Sequence, residues 1–315
     1  MIEREEVKKL AKEEFLEKAG VIGISVKHHS PKILRIYVEK LDPALLKTIP
    51  KTYLGYEVQV IEVGRIKPLL SAEERQKRHR PVFPGLSIGS VRVTAGTLTG
   101  ICKDNVDGEY VLLSNYHVFY GTIGEHILSP GPYDGGQDPQ DLVGYLKRYV
   151  SITPSPSHNY VDSAIASVEV DFISDEPDLG SPLAIREVRE GETIVKAGRT
   201  TAVTRARVID DAATIKVYDY PGVGTVIFDD VIITDYMAAG GDSGSTAFST
   251  DGFWVGQCFA GSDKITAFIK STRIINALNI TPIYGTPRII ALRAGMLPIV
   301  AMALIPFIPI PYKRK

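Results

Sequence analysis

Cysteine, tryptophan, asparagine and glutamine are all scarce in this chain of 315 residues. There are 2 cysteines and 1 tryptophan, and only 5 asparagines and 5 glutamines. Cys102 and Cys258 are too few for a disulfide scaffold, so we expect each to be a small buried apolar residue, with a bond between them as the alternative. Because amide side chains deamidate in heat, their scarcity beside abundant charged and β-branched residues indicates a thermophile's protein.

The chain also lacks a charge excess and an apolar N-terminal run. Its 36 basic and 37 acidic residues leave a net charge of −1, which gives no reason to expect nucleic acid as a partner. Charges alternate between Met1 and Glu6, where a signal peptide would need an apolar run. We therefore expect no classical secretion signal at that end and a cytoplasmic protein.

The first residues predict a small α/β domain over 1–66. A single apolar stripe within residues 3–18 is typical of an amphipathic helix, and three short β-branched runs follow over 21–27, 32–39 and 57–63. Residues 67–82 are charged and end in prolines, and they predict a solvated linker. A processing site and a nucleic-acid patch are the alternatives for this basic run.

After residue 83 the pattern changes to many short apolar runs separated by Gly, Asp and Pro. This spacing is typical of an all-β barrel. One set of runs lies between Ile88 and Val168 and a second between Thr193 and Phe259, so we expect two barrels. Lys270–Asn279 predicts a short helix that closes this domain, which we bound at 83–285.

The remaining tail, residues 286–315, is almost wholly apolar from Ala294 to Pro311. Its length approaches that of a membrane span, but its prolines remove helical hydrogen bonds, so we do not expect a straight spanning helix. Two uses stay open. The tail packs on its own protein or a partner chain, including a second copy in a homo-oligomer, or it contacts a membrane.

The string GGDSGS, from Gly240 to Ser245, suits a nucleophilic serine. A serine hydroxyl needs a base to take its proton and donors to hold the oxyanion. Glycines let the backbone turn tightly, so that the amides of Gly241 and Ser243 point into one pocket. Upstream, His117 ends an apolar run in LSNYHV and Asp162 lies in VDSAIA. The order His, Asp, Ser is that of the chymotrypsin-like arrangement.

These three strings resemble the active-site motifs of trypsin-like serine peptidases, and ILSPGPYDGGQDP and VKAGRTTAVTRARV resemble a bacterial and archaeal branch of that family. The resemblance implies a mainly β fold, a chymotrypsin-like double six-stranded β-barrel. It also implies a serine endopeptidase acting on polypeptides through an acyl-enzyme, with a triad of His117, Asp162 and Ser243 and an oxyanion hole at the amides of Gly241 and Ser243. The leading module would be a propeptide, an inhibitor or an interaction domain.

The resemblance further implies where a substrate binds. Cys258–Gly261 is similar to the edge strand that pairs with the substrate backbone, and Met237 and Ala238 lie near the base of the first specificity pocket. The implied substrate-binding residues are Met237, Ala238, Phe259, Ala260 and Gly261. No acid sits where a preference for Arg or Lys would require one.

Two aspartates lack partners that their counterparts have in many relatives. A serine on the edge strand usually supports the triad aspartate, but Phe259 stands at that place, so Asp162 must find its second partner elsewhere. In animal relatives the residue before the nucleophile is held by a newly cut N-terminal amine. No such sequence follows the basic run, so we expect Asp242 to be held from within the second barrel.

The other polar clusters predict structural uses. No histidine among His79, His126 and His158 has a second ligand at a metal-site spacing, so we expect no metal and no cofactor. The acids between Asp134 and Asp141 lack the alternation of a calcium loop and predict a turn.

Two other functions stay open at this point. One is a binding or structural protein that keeps a peptidase fold without chemistry, because fold alone does not guarantee activity. The other is an inactive precursor in which the N-terminal module covers the cleft until it is removed.

Overall fold

The computed structural model describes residues 3–66 and 68–285, and these form two compact units, one on each side of residue 67. The apolar tail that the sequence predicts to be a contact segment lies outside the described residues. Among the residues that are described, no helix is long and apolar enough to cross a membrane.

The first unit is a small α/β fold. Helix α1 (Arg4–Ala11) continues into one π-helical turn (Lys12–Leu16), and α2 (Pro43–Leu46) follows the first two strands. The strands are β1 (Val21–Lys27), β2 (Ile33–Val38), β3 (Thr52–Tyr53) and β4 (Tyr56–Glu62), in the order β1-β2-β4-β3. β2 and β4 are parallel and the other pairs antiparallel. Val7 and Phe15 of the predicted apolar stripe are fully buried against Leu34 and Ile36 of β2.

The second unit carries the remaining elements. Its helices are α3 (Ala72–Arg75), a 3₁₀ turn (Pro132–Asp134) and α4 (Ser271–Leu278). Its strands are β5 (Ser87–Ser90), β6 (Gly96–Thr97), β7 (Gly100–Asp104), β8 (Tyr110–Ser114), β9 (His126–Leu128), β10 (Leu142–Tyr149), β11 (His158–Asn159), β12 (Ala164–Ser167), β13 (Thr193–Gly198), β14 (Ala202–Tyr220), β15 (Gly224–Asp235), β16 (Thr246–Ser249), β17 (Trp254–Gly261), β18 (Ile265–Lys270) and β19 (Ile280–Pro282).

The first barrel has the strand order β7-β8-β12-β10-β9-β5-β6. It closes because β6 and β7 are two halves of one interrupted strand. Between them, the amide of Leu98 donates to the carbonyl of Leu86 (2.8 Å) and the amide of Thr99 donates to the carbonyl of Leu113 (2.9 Å). β19, from the end of the described chain, pairs with the outer edge of β7. The result is six barrel strands, as the sequence predicts.

The second barrel closes through direct strand pairing. Its six strands have the order β14-β13-β16-β17-β18-β15. The last of them, β15, pairs with the first, β14, and this pairing closes the barrel. The sequence predicts two short strands at 204–208 and 214–217, whereas the structure has one continuous strand, β14, across both. Asp210 and Asp211 look like a turn in the sequence, but they lie at bulges in the β14–β15 hairpin, where polar residues face solvent.

An apolar core joins the two barrels. Leu113 and Ile165 of the first barrel share a buried cluster with Phe228 and Trp254 of the second. The two cysteines are free and buried, and they lie in different clusters, as expected of small apolar residues. Burial raises the pKa of each thiol to about 12.

Part of the predicted linker over 67–82 is packed rather than solvated, since Arg75 and Val82 are buried. The guanidinium of Arg75 is fully buried and pairs with Glu176 (2.7 Å) and with Asp178. Arg78 pairs with Asp141 at 2.9 Å. The acids that neutralise this segment lie between 63 and 103 residues away in sequence, so the local pattern of charges could not reveal that it is packed.

Arg75→Ala should lower the free energy of unfolding by about 3–5 kcal/mol, because it leaves two buried carboxylates without their cation. Lys77→Ala is the matched control, since Lys77 pairs with Glu74 at the surface and such pairs contribute about 0–1 kcal/mol. Urea unfolding of both variants checks the expectation. Equal losses would mean that the buried cluster does not stabilise the fold.

Candidate active site

His117 and Asp162 lie side by side in the first barrel. His117 stands in the turn that follows β8, and Asp162 precedes β12, which pairs with β8 in the same sheet. The Nδ1 atom of His117 is 2.5 Å from Oδ2 of Asp162. The carboxylate is fully buried and the imidazole is 18% exposed, so one edge of the ring faces the surface.

The Asp162 carboxylate is surrounded by donors. Its Oδ1 atom accepts from the backbone amides of Tyr116 (2.9 Å) and His117 (3.3 Å) and from the hydroxyl of Tyr220 (2.9 Å). Hydrogen bonds to an ionised carboxylate stabilise its charged form and fix its orientation. Tyr220 supplies the second side-chain partner that the sequence left unidentified. No local pattern marks it, because it arrives from the far end of β14.

Ser243 lies in the loop between β15 and β16, where two glycines are required. Gly241 and Gly244 adopt left-handed backbone conformations with φ of 94° and 97°. A Cβ atom on Gly244 would overlap the Thr97 carbonyl oxygen, and one on Gly241 would overlap the Arg199 guanidinium. The loop can therefore make this turn only with glycine at both positions.

Threonines hold the backbone of this loop. The hydroxyl of Thr200 donates to the carbonyl of Gly240 (2.8 Å), and that of Thr97 donates to the carbonyl of Gly241 (2.9 Å). The amide of Thr97 also donates to the carbonyl of Ser243 (2.7 Å). Within residues 3–66 and 68–285, the amides of Gly241 and Ser243 donate to no acceptor.

The two halves of the site approach each other at Gly96. An added Cβ atom there would lie within 2.9 Å of the Ser243 carbonyl oxygen and would overlap the side chain of Val118, the neighbour of His117. Among the described residues there is no hydrogen bond between the Ser243 hydroxyl and the His117 ring. In unliganded sites this bond is often long and tightens when the substrate binds.

Asp242 is held from within the second barrel, as the sequence predicts. Its Oδ2 atom pairs with Nζ of Lys196 at 3.2 Å, and both side chains are fully buried. The amides of Ala239, Thr200 and Thr201 also donate to this carboxylate, at 3.0–3.2 Å. Burial lowers the pKa of Lys196, while the charge of Asp242 opposes that change. No chain terminus is needed to compensate Asp242.

Gln257 is a further polar residue that the sequence does not single out. Its amide oxygen accepts from Asn115 (3.1 Å) and Ser163 (2.5 Å), and its amide nitrogen donates to Thr99 (2.6 Å). Asn115 and Ser163 lie close in sequence to His117 and Asp162. This fully buried glutamine of β17 therefore ties the second barrel to both segments that carry the pair.

The implied substrate-binding residues divide into two groups. Met237 and Ala238 are buried in one cluster with Cys258. Phe259 faces the opposite side of β17 and packs against Phe228 in a tilted geometry, with ring centroids 4.7 Å apart. Phe259 and Met237, both implied to bind substrate, therefore lie in different apolar clusters. Ala260 is partly exposed and Gly261 is exposed at the end of β17.

The other polar residues have structural partners. Asp134 pairs with Arg199, and Asp138 pairs with His126 at 2.9 Å. His158 pairs with Asp229. Over the described ranges, no group of three or more His, Cys, Asp or Glu side chains is arranged to hold a metal ion.

Comparisons with known proteins found no matching family model and no matching curated protein. Among solved structures, the chain is similar to Thermobifida fusca Protease A, with 15% identity and a TM-score of 0.49 over 65% of this chain and 99% of that one. It is also similar to a Nocardiopsis protease (16% identity, TM-score 0.48, 64% of this chain and 97% of that one). A Cellulomonas bogoriensis chymotrypsin has 15% identity and a TM-score of 0.48, over 65% of this chain and 99% of that one. All three of these solved structures are proteases.

Proposed function

We propose that the chain is an active serine endopeptidase. The observation that carries the proposal is the hydrogen-bonded pair of His117 and buried Asp162, in a unit that also carries Ser243, whose amide and that of Gly241 have no acceptor among the described residues. A binding module would gain nothing from burying a carboxylate against an imidazole, because burying a charge is costly. It would also have no use for leaving the amides of Gly241 and Ser243 without acceptors within the described residues.

The chemistry follows from these groups. His117 takes the proton of Ser243 as the hydroxyl attacks a peptide carbonyl, and later gives it to the leaving amine. Asp162 fixes the tautomer of His117 and stabilises the imidazolium that forms. The amides of Gly241 and Ser243 bind the oxyanion of each tetrahedral intermediate, and water then hydrolyses the acyl-enzyme.

Labelling with a fluorophosphonate probe separates this function from its two alternatives. Full-length protein that labels at Ser243 without cleavage is an active peptidase. Folded full-length protein that labels only after the first unit is removed is a latent precursor. A chain that stays folded and unlabelled in both forms is a catalytically silent protein, and the proposal is then wrong.

Ser243→Ala and His117→Ala should each lower turnover by several orders of magnitude, because the members of a triad act as one unit. Asp162→Asn should act similarly by favouring the wrong tautomer of His117. Peptide hydrolysis and the melting temperature are measured together, with His126→Ala as the control histidine. A variant that keeps a tenth of wild-type turnover removes its residue from the mechanism.

Lys196→Met should abolish labelling of the full-length protein or reduce it at least about tenfold, because Asp242 would lose its buried cation and the Gly240–Ser243 loop its anchor. Lys216→Met, at an exposed position of β14, is the matched control. Mass spectrometry confirms that neither protein is cleaved. Full labelling of a folded Lys196→Met protein would contradict this role of the pair.

A peptide library should select an uncharged, medium-sized apolar residue on the acyl side of the cut bond. Met237 and Ala238 bring no formal charge to the implied pocket, and an unpaired substrate charge would be costly to bury there. Strong selection for Arg, Lys, Asp or Glu would show that the pocket lies elsewhere.

A further inference from the structure

Tyr220 is the last residue of β14, in the second barrel, yet its hydroxyl lies 2.9 Å from Asp162 in the first. The side chain is 5% exposed. Its ring lies edge-on to the ring of His117, with centroids 5.9 Å apart and an angle of 76° between planes, and it also packs beside Phe228. One aromatic residue therefore touches both members of the His117–Asp162 pair.

The hairpin that carries Tyr220 is anchored to the chain segment that leads to Asp162. β11 pairs in parallel with β15 at His158–Ile227 and Asn159–Phe228. The side-chain amide of Asn159 donates to the Ile227 carbonyl at 3.1 Å. The hairpin thus fixes both the backbone before Asp162 and one oxygen of its carboxylate.

The tip of the hairpin also meets the chain just after His117. Gly222 has a left-handed φ of 71°, and a Cβ atom there would overlap the hydroxyl of Tyr120. The turn between β14 and β15 can therefore approach the first barrel only with glycine at this place. The hairpin that carries Tyr220 is thus held by the segment before Asp162 and by the chain just after His117.

The hydrogen bond has one direction. An ionised carboxylate can only accept, so the Tyr220 hydroxyl is the donor. Burial, reinforced by the charge of Asp162, raises the pKa of Tyr220 far above its ordinary value and keeps the hydroxyl protonated. Oδ1 is then occupied by Tyr220 and two amides, which leaves Oδ2 for His117.

We propose that Tyr220 is a positioning residue for the triad, and that its hydroxyl takes the place of the serine that supports the aspartate in many trypsin-like peptidases. This role rests on the proposed function. The hydroxyl holds the Asp162 carboxylate in the rotamer that faces Nδ1 of His117.

The test compares Tyr220→Phe with Tyr218→Phe in the full chain. Tyr218 lies on the same strand and is 69% exposed. Tyr220→Phe should lower kcat about tenfold with KM nearly unchanged, as expected for loss of a hydrogen bond to a charged group. Tyr218→Phe should change neither.

A second measurement does not depend on turnover. The NMR chemical shift of the His117 Nδ1 proton in the Ser243→Ala protein, with and without Tyr220→Phe, reports the hydrogen bond to Asp162, and loss of the Tyr220 hydroxyl should change it. If the wild-type chain proves inactive, the proposed function fails while this chemical shift still decides the contact. A chemical shift that is unchanged in folded Tyr220→Phe protein, or a kcat equal to wild type, overturns the role of Tyr220.

Discussion

The fully buried carboxylate of Asp162 is the constraint on which the arrangement of the two barrels depends. An unpaired charge in an apolar interior is costly, so it must be surrounded by donors with good geometry. The first barrel supplies the amides of Tyr116 and His117 and the His117 ring. The second supplies the Tyr220 hydroxyl. The donor set of Asp162 is therefore complete only when the two barrels are packed together.

Asp242, beside Ser243, is a second buried carboxylate that is surrounded by donors. It is buried beside Lys196 and accepts from backbone amides of two loops in the second barrel. Each buried acid thus lies next to groups of the proposed chemistry, Asp162 beside His117 and Asp242 beside Ser243. Because every donor would be left unsatisfied if its acid moved, the surrounding backbone has little freedom. Such rigidity favours preorganised electrostatics over rearrangement during turnover.

Short local strings were enough to predict much of the fold and the candidate residues. His117, Asp162 and Ser243 each sit in a distinctive run of neighbours, and apolar runs separated by turns predicted two barrels. Partners that come from distant segments left no such signal, as with Arg75 and its acids or Tyr220 and Asp162. Phe259 shows a different limit. Its place on the strand was predictable, but the face of its side chain depended on a register that only the barrel defines.

The pairing of β19 with β7 has a consequence for biosynthesis. β7 belongs to the first barrel, but its outer neighbour is Ile280–Pro282, which the ribosome makes only after the whole second barrel. Until then the outer edge of β7 presents unpaired backbone groups, and such edges promote association between nascent chains. This edge therefore stays uncovered from the end of β12 until β19 is made, and a chaperone that shields it would protect the growing polypeptide.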